Sequence, residues 1–186
     1  MGELYEIGLA YVNKRDKKEC GKYYTPDDVV SVMSSWLSEN ECVNICDVCC
    51  GTGNLILSYL DTVGRKAAED LLAQNRVFLY DIDGTALNIC KTIIEMKYAA
   101  QIAPQNIITG DFLDKNIRLP ENSAVISNPP YFKITKIEGS WEITPNITES
   151  REFYSAIMEK ILDESRFSVV ITPFGFISGR KFQYLR

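Results

Sequence analysis

Residues 43–54 read VNICDVCCGTGN, and this stretch decides the fold class of the chain. Its first half is short and apolar, as expected of a buried strand. Gly51 and Gly53 follow and allow a tight turn whose backbone can approach a ligand without a side chain in the way. Residues 55–60 then show helical spacing, and the start of that helix supplies free N–H groups. Strand, glycine turn and helix in this order predict the opening of a nucleotide-binding βαβ unit.

The charge beside this turn narrows the class of ligand. A Gly-x-Gly pair alone is weak evidence, and the third glycine of the dinucleotide fingerprint is absent. Asp47 lies at the end of the predicted strand, where a carboxylate is a poor neighbour for a pyrophosphate but a good one for a cation. The turn therefore favours a ligand that carries a sulfonium or an amine.

Four further strands are predicted along the chain, with helical segments between them. This alternation indicates an α/β fold of the Rossmann-like type, with a parallel sheet and helices on both faces. The expected strand order is 3-2-1-4-5, which places the site where the order reverses, between the first and fourth strands. The length of 186 residues suits one domain with a sizeable core. The five predicted strands span residues 43–48, 76–81, 105–109, 123–127 and 166–172.

Acidic residues follow the second and third predicted strands. Asp81 can accept hydrogen bonds from both hydroxyls of a ribose, whereas Asp83 is better suited to cap the next helix. Both carboxylates are also explained if they only cap or solvate the turn. After the third strand, Asp111 suits an adenine amino group and Phe112 suits stacking on a ring. The alternative interpretation is that Asp111 opens a turn and that Phe112 is an ordinary core residue.

Residues 128–131, Asn-Pro-Pro-Tyr, follow the apolar run 124–127 at the predicted end of the fourth strand. The two prolines set φ near about −65° and remove two donors, so the loop presents carbonyl acceptors in a preset geometry. Asn128 adds an acceptor oxygen and Tyr131 adds an aromatic face. Two acceptors that converge on an exocyclic amine make a site for chemistry on that amine. The alternative interpretation is a simple turn after a strand.

A helix is predicted from residue 25 to about residue 38. Thr25 is a good N-cap, Pro26 suits the first helical position, and Asp27 and Asp28 favour the positive end of the helix dipole. Capping alone explains these residues. The functional alternative is that the free amides at the helix start face a carboxylate.

The order of these segments resembles the S-adenosylmethionine-dependent DNA adenine-N6 methyltransferases of bacterial restriction-modification systems. Within that family, the chain is similar to the subgroup that places the Thr-Pro helix before the glycine motif. The resemblance extends from about residue 21 to the end of the chain. The Asn-Pro-Pro-Tyr tetrapeptide and the Tyr-x-Thr-Pro element are its most specific parts, because many methyltransferases share the others. The matching segments are residues 23–26, 47–53, 81–83, 110–112 and 128–131.

The resemblance implies S-adenosylmethionine as the cofactor. Thr25 and its neighbouring amides would contact the methionine carboxylate, and Asp47 with the glycine turn would surround the methionine portion. Asp81 would hold the ribose, while Asp111 and Phe112 would bind the adenine ring. The implied cofactor residues are Tyr24, Thr25, Asp47, Gly51, Gly53, Asp81, Ile82, Asp111, Phe112 and Asn128.

The resemblance also implies direct methyl transfer to the N6 amine of a target adenine. Asn128 and Pro129 would hold this amine, and Tyr131 would stack on a base that has been rotated out of the duplex. The chain contains no histidine, which excludes histidine-based acid–base or triad chemistry. The implied catalytic residues are Asn128, Pro129, Pro130 and Tyr131.

Two regions are expected in the chain: a helical lead-in over residues 1–20, with Leu4 and Ile7 on its apolar stripe, and a catalytic domain over residues 21–186. The family that the chain resembles continues with further strands and a target-recognition domain, so we expect the chain to be truncated before them. Residues 132–148 form a long connection, which we expect to be a mobile substrate loop.

DNA is the expected partner. The net charge of −5 predicts weak phosphate binding by this part alone. Recognition of a DNA sequence would then need a missing recognition domain or a partner such as a specificity subunit, and a restriction endonuclease is a further candidate partner. Two other functions stay open: methylation of an RNA base or a protein glutamine, and a noncatalytic fragment that binds cofactor or forms half of a split enzyme.

Six cysteines are present, and Cys46-x-x-Cys49 has the spacing of half a zinc site. Because a second such pair is absent downstream, we expect no metal and interpret these cysteines as small apolar residues in the reduced state. Neither a signal peptide nor an apolar span of membrane length is apparent. The expected location is the bacterial cytoplasm.

Overall fold

The computed structural model describes residues 25–40 and 42–185. The expected lead-in over residues 1–20 and the candidate cofactor residue Tyr24 lie outside this part. None of its helices is both long and apolar enough to cross a membrane. The described strands are β1 (Asn44–Val48), β2 (Val77–Asp81), β3 (Ile107–Thr109), β4 (Ser123–Ser127) and β5 (Phe167–Val170). The described α-helices are α1 (Asp27–Ser38), α2 (Asn54–Thr62), α3 (Arg65–Ala73), α4 (Gly84–Tyr98), α5 (Pro145–Ser150) and α6 (Phe153–Glu164).

The five strands form one parallel sheet in the order β3-β2-β1-β4-β5, which confirms the predicted order. β1 lies in the centre, where Val48 pairs with Tyr80 of β2 on one side and with Ser127 of β4 on the other. The carboxyl ends of these three strands therefore meet at one edge of the sheet. In parallel α/β sheets this edge is where ligands bind.

Each face of the sheet has its own hydrophobic core, because successive strand residues point to opposite faces. Ile45 and Ile126 belong to the first core, together with apolar side chains of α1, α2, α3 and α4. Cys46 and Val125 belong to the second core, which α6 and parts of the connecting segments cover. Helices thus cover both faces, as predicted.

Four strands are shorter than predicted, β1 and β2 by one residue each, and proline explains the larger differences in β3 and β5. β5 ends at Val170 rather than at residue 172, because its neighbour β4 stops at Ser127, where the Asn-Pro-Pro segment begins. The last bond on this side runs from the Ile171 N–H to the Ser127 carbonyl, at 3.0 Å. β3 starts at Ile107 because Pro104–Asn106 forms a 3₁₀ turn.

Parts of the connection after β4 are packed against the second core, which contradicts the expectation that residues 132–148 form an unpacked loop. Ile134 and Trp141 are buried in the second core. Further along, the Thr144 hydroxyl accepts a hydrogen bond from the Ile147 N–H and caps α5. Ile134 and Trp141 thus anchor this segment to the second core.

Candidate active site

The glycine turn after β1 is shaped by left-handed backbone conformations. Gly51 has φ of 53° and Gly53 has φ of 90°. Gly53 is the N-cap of α2 and lies against α4, where a Cβ at position 53 would be 2.3 Å from Cys90 Sγ. Glycine is therefore required at position 53 both by conformation and by space.

Asp47 lies beneath this turn with its side chain completely buried. Its Oδ2 accepts a hydrogen bond from the Ile56 N–H in α2, at 3.1 Å, while its Oδ1 has no hydrogen-bond partner among the described residues. Burial raises the pKa of this carboxyl well above its usual range, and the nearby Asp81 carboxylate adds to the effect. A buried acceptor without a donor is rare in native proteins. The site thus fits a ligand that brings a positively charged N–H group to this carboxylate.

Asp81 joins the end of β2 to the glycine turn. Its Oδ2 accepts a hydrogen bond from the Gly51 N–H at 2.7 Å, and its Oδ1 accepts one from the Asp83 N–H at 2.8 Å. Asp83 caps α4 by accepting from the N–H groups of Thr85 and Ala86, which confirms the predicted cap. The adjacent Ile82 side chain is 69% exposed, so an apolar surface is available beside Asp81.

Asp111 and Phe112 follow β3, and both are already engaged by other residues. The Asp111 carboxylate accepts hydrogen bonds from the Leu113 N–H at 3.0 Å and from the Trp141 indole N–H at 2.7 Å. The Phe112 ring is buried, and it packs edge-on against Tyr80 with 5.5 Å between ring centroids. Phe112 thus belongs to the second core.

Asn128, which follows β4, connects two segments that are distant in sequence. Its Nδ2 donates to Thr25 Oγ1 at 2.8 Å, and its Oδ1 accepts from the Tyr131 hydroxyl at 2.7 Å. The Tyr131 hydroxyl also lies 3.2 Å from the carbonyl oxygen of Ile171, and the Tyr131 ring packs edge-on against Tyr154. Burial raises the pKa of Tyr131 to about 12, so its hydroxyl stays protonated near neutral pH.

Thr25 has a different role from the predicted helix cap. The N-cap position of α1 is occupied by Pro26, and the Thr25 hydroxyl instead faces Asn128. The Asn54 side chain, beside the glycine turn, donates to the Thr25 carbonyl at 3.0 Å. Thr25 therefore bridges the glycine turn and the Asn-Pro-Pro-Tyr loop. Within that loop, Pro129 is buried and Pro130 is half-buried.

Two residues near the site were missed from the sequence, Trp141 and Lys160. Trp141 lies in the connection that was expected to be mobile. Lys160, on α6, donates to three backbone carbonyls in the segment that follows β3, those of Phe112, Asp114 and Ile117. Neither residue belongs to a recognisable sequence motif. Only the apolar residues beside them in sequence indicated that their side chains would be buried.

The chain matches the family model of the N-6 DNA methylases over residues 1–183. A relative, the type II methyltransferase M.VspI from Vibrio sp. (strain 343), is 30% identical over 138 residues, which cover 72% of this chain and 30% of the relative. The chain therefore spans less than a third of the length of this relative.

Solved structures of other proteins share the fold, and two of them illustrate the likeness. A cryo-EM structure of a DrdV–DNA complex has a TM-score of 0.73 at 19% identity, over 96% of this chain and 23% of that chain. The M protein of the type I restriction enzyme EcoKI has a TM-score of 0.67 at 14% identity, over 87% of this chain and 36% of that chain. The family match over nearly all residues, together with the methyltransferase fold, shows that the chain belongs to the N-6 DNA methylase family.

Proposed function

We propose that this chain is the cofactor-binding and catalytic part of an enzyme that transfers a methyl group from S-adenosylmethionine to the N6 amine of adenine in DNA. The observation that supports this most directly is the position of the Asn128 amide. One side of the amide contacts Thr25 at the start of α1, and the other contacts Tyr131. Asn128 thus stands between the expected methionine end of the cofactor site and the expected site of the target base.

The residues along this edge of the sheet fit S-adenosylmethionine, which supplies an activated methyl group when bound. Asp47 Oδ1 is a buried acceptor without a donor among the described residues, which suits the cationic methionine portion. Gly51 and Gly53 leave room for close approach of a ligand to the backbone. Asp81 would accept from the ribose hydroxyls, because each carboxylate oxygen can accept more than one hydrogen bond. Asp111 would accept from the adenine amino group.

The Asn-Pro-Pro-Tyr loop would hold the target amine. Asn128 Oδ1 and the Pro129 carbonyl would accept its two hydrogens, while Tyr131 stacks on the base. In the structure Asn128 Oδ1 accepts from the Tyr131 hydroxyl, so the incoming amine would replace or share this contact. These acceptors would bind the positive charge that develops on the nitrogen better than they bind the neutral amine, which lowers the barrier.

DNA would be bound with help from outside this chain. With 20 basic and 25 acidic residues the net charge is −5, so counterion release on phosphate binding would be small. We infer that a recognition domain or partner subunit supplies sequence recognition and most of the DNA affinity. The few kcal/mol needed to rotate the base out of the duplex would be partly offset by stacking on Tyr131.

The test compares Asn128→Ala with Asn128→Asp. Alanine removes the acceptor for the amine, so methyl transfer should be lost while S-adenosylhomocysteine still binds, as measured by calorimetry. Aspartate keeps an acceptor oxygen at the same place, so part of the transfer should remain. Loss of cofactor binding and transfer together in Asn128→Ala would contradict this division of roles.

The substrate class is tested with a labelled methyl donor on unmethylated genomic DNA, total RNA and protein extract. The expected product, after digestion of the DNA to nucleosides, is N6-methyldeoxyadenosine detected by mass spectrometry. Label that accumulates in RNA or in glutamine side chains, with none in DNA, would overturn the proposed substrate.

A further inference from the structure

Trp141 links the connection that follows the Asn-Pro-Pro-Tyr loop to the expected adenine end of the cofactor site. Its indole N–H donates to Asp111 Oδ2 at 2.7 Å, and its side chain is only 9% exposed. The backbone of the same segment is also attached there, since the Lys115 N–H donates to the Ser140 carbonyl at 3.0 Å. A side-chain and a backbone hydrogen bond therefore join residues 111–115 to residues 140–141.

The contact fixes the direction of the Asp111 carboxylate. Its Oδ1 is held by the Leu113 N–H and its Oδ2 by the indole N–H, so both oxygens are anchored at known positions. Each oxygen keeps capacity for a further hydrogen bond from a ligand. A hydrogen bond from a neutral donor to a carboxylate is among the stronger kinds, and the indole N–H does not titrate. Trp141 thus orients the Asp111 carboxylate.

The Trp141 indole packs against α6. The Phe153 ring lies 5.9 Å from the Trp141 ring, between centroids. Lys160, about two turns further along α6, lies 4.8 Å from the centroid of the Phe112 ring and donates to the carbonyls of Phe112 and Asp114. Burial lowers the pKa of Lys160. Because both sides of the contact rest on α6, Asp111 and Trp141 have little freedom to rearrange separately.

We propose that Trp141 is a positioning residue that sets the selectivity of Asp111 for the adenine amino group of the cofactor. This inference rests on the proposed function. It adds that recognition of the cofactor's adenine depends on the connection that follows the Asn-Pro-Pro-Tyr loop. The cofactor site and the target-base site would therefore be coupled. A residue that orients a binding group should affect the choice between ligands more than overall stability.

The test uses the unaltered chain, Trp141→Phe and Trp36→Phe. Phenylalanine at 141 keeps an aromatic ring in the core but removes the N–H. Trp36, on α1, is 57% exposed and is the only other tryptophan, so it provides a matched control. The probes are S-adenosylhomocysteine and its deaminated analogue S-inosylhomocysteine, in which a carbonyl oxygen replaces the amino group. Calorimetry gives the ratio of the two affinities for each protein.

The unaltered chain and Trp36→Phe should prefer the amino-bearing ligand strongly and equally. Trp141→Phe should lower this preference about tenfold, which is the size expected when one hydrogen bond to a charged group is lost. Equal weakening of both ligands in Trp141→Phe would show a merely structural role and would overturn the inference. Failure of the unaltered chain to bind S-adenosylhomocysteine would instead overturn the proposed function as well.

A second measurement covers the case in which Trp141→Phe does not fold. In Trp36→Phe, Trp141 is the sole tryptophan, so its fluorescence reports on the surroundings of this indole, which include the Asp111 carboxylate. Addition of S-adenosylhomocysteine should change this emission with the same midpoint as the calorimetric titration. Unchanged emission at saturating ligand would overturn the inference.

Discussion

Replacement of Asp47 by asparagine should stabilise the free protein and weaken its binding of cofactor. The Asp47 side chain is completely buried, and only one of its oxygens has a donor among the described residues, the Ile56 N–H. Asparagine has nearly the same shape and keeps an acceptor for that N–H. The substitution therefore removes a buried ionisable group with little change in packing.

The direction in which Asp47→Asn changes the free energy of unfolding follows from the raised pKa of Asp47. Between the usual aspartate pKa of about 3.9 and the raised value, the folded protein keeps a proton that the unfolded chain releases. Stability is therefore highest below this window and falls as the pH rises through it, by up to about 1.4 kcal/mol for each pH unit. Asparagine does not titrate, although its amide leaves one donor unpaired, which costs about 1–3 kcal/mol.

Relative to the unaltered chain, Asp47→Asn should therefore gain stability as the pH rises from 5 to 8, and at pH 8 it should be the more stable of the two proteins. Urea denaturation at both pH values measures this difference. Asp70→Asn is the control, because Asp70 is 56% exposed in a surface ion pair with Lys66 and should change stability by less than about 1 kcal/mol.

Cofactor binding should change in the opposite direction. A carboxylate that pairs with a cationic group contributes about 1.5–3 kcal/mol, so Asp47→Asn should bind S-adenosylhomocysteine roughly 10- to 150-fold more weakly. Calorimetry at pH 8 measures the affinity. An Asp47→Asn protein that is less stable than the unaltered chain at pH 8, or that binds the ligand as tightly, would refute the reasoning.

Two further substitutions test the packing around the site. Gly53→Ala should cost about 2–5 kcal/mol, from an unfavourable φ and from overlap with Cys90 Sγ. Cys90→Ala should recover part of this cost in a double-mutant cycle by urea denaturation, whereas strictly additive costs would contradict the overlap. Lys160→Met should cost about 1–3 kcal/mol, because three carbonyls in residues 112–117 lose their donor. The exposed Lys136, replaced in the same way, should change stability by less than about 1 kcal/mol, and equal losses for the two lysines would rule out this role.

The strands, the glycine turn and the sheet order were predictable from local pattern. Short apolar runs followed by glycine or proline mark β1 and β4, and the alternation of strands and helices in a parallel sheet restricts their order. The cap at Asp83 was predictable for the same reason, since its bonds reach only to Thr85 and Ala86. Interactions between near neighbours in sequence need no knowledge of the rest of the fold.

Tertiary structure alone decided which partners the site residues have. Thr25 contacts Asn128 across 103 positions of sequence, and Trp141 contacts Asp111 across 30. The residue type of Thr25 predicts a helix cap, and the length of the segment that holds Trp141 predicts a loop. Each assignment was wrong because a hydrogen bond between segments distant in sequence, which forms only in the folded chain, outweighs local preference. The chemistry that each residue can perform is therefore encoded in its type, but the contact that directs it exists only in the folded chain.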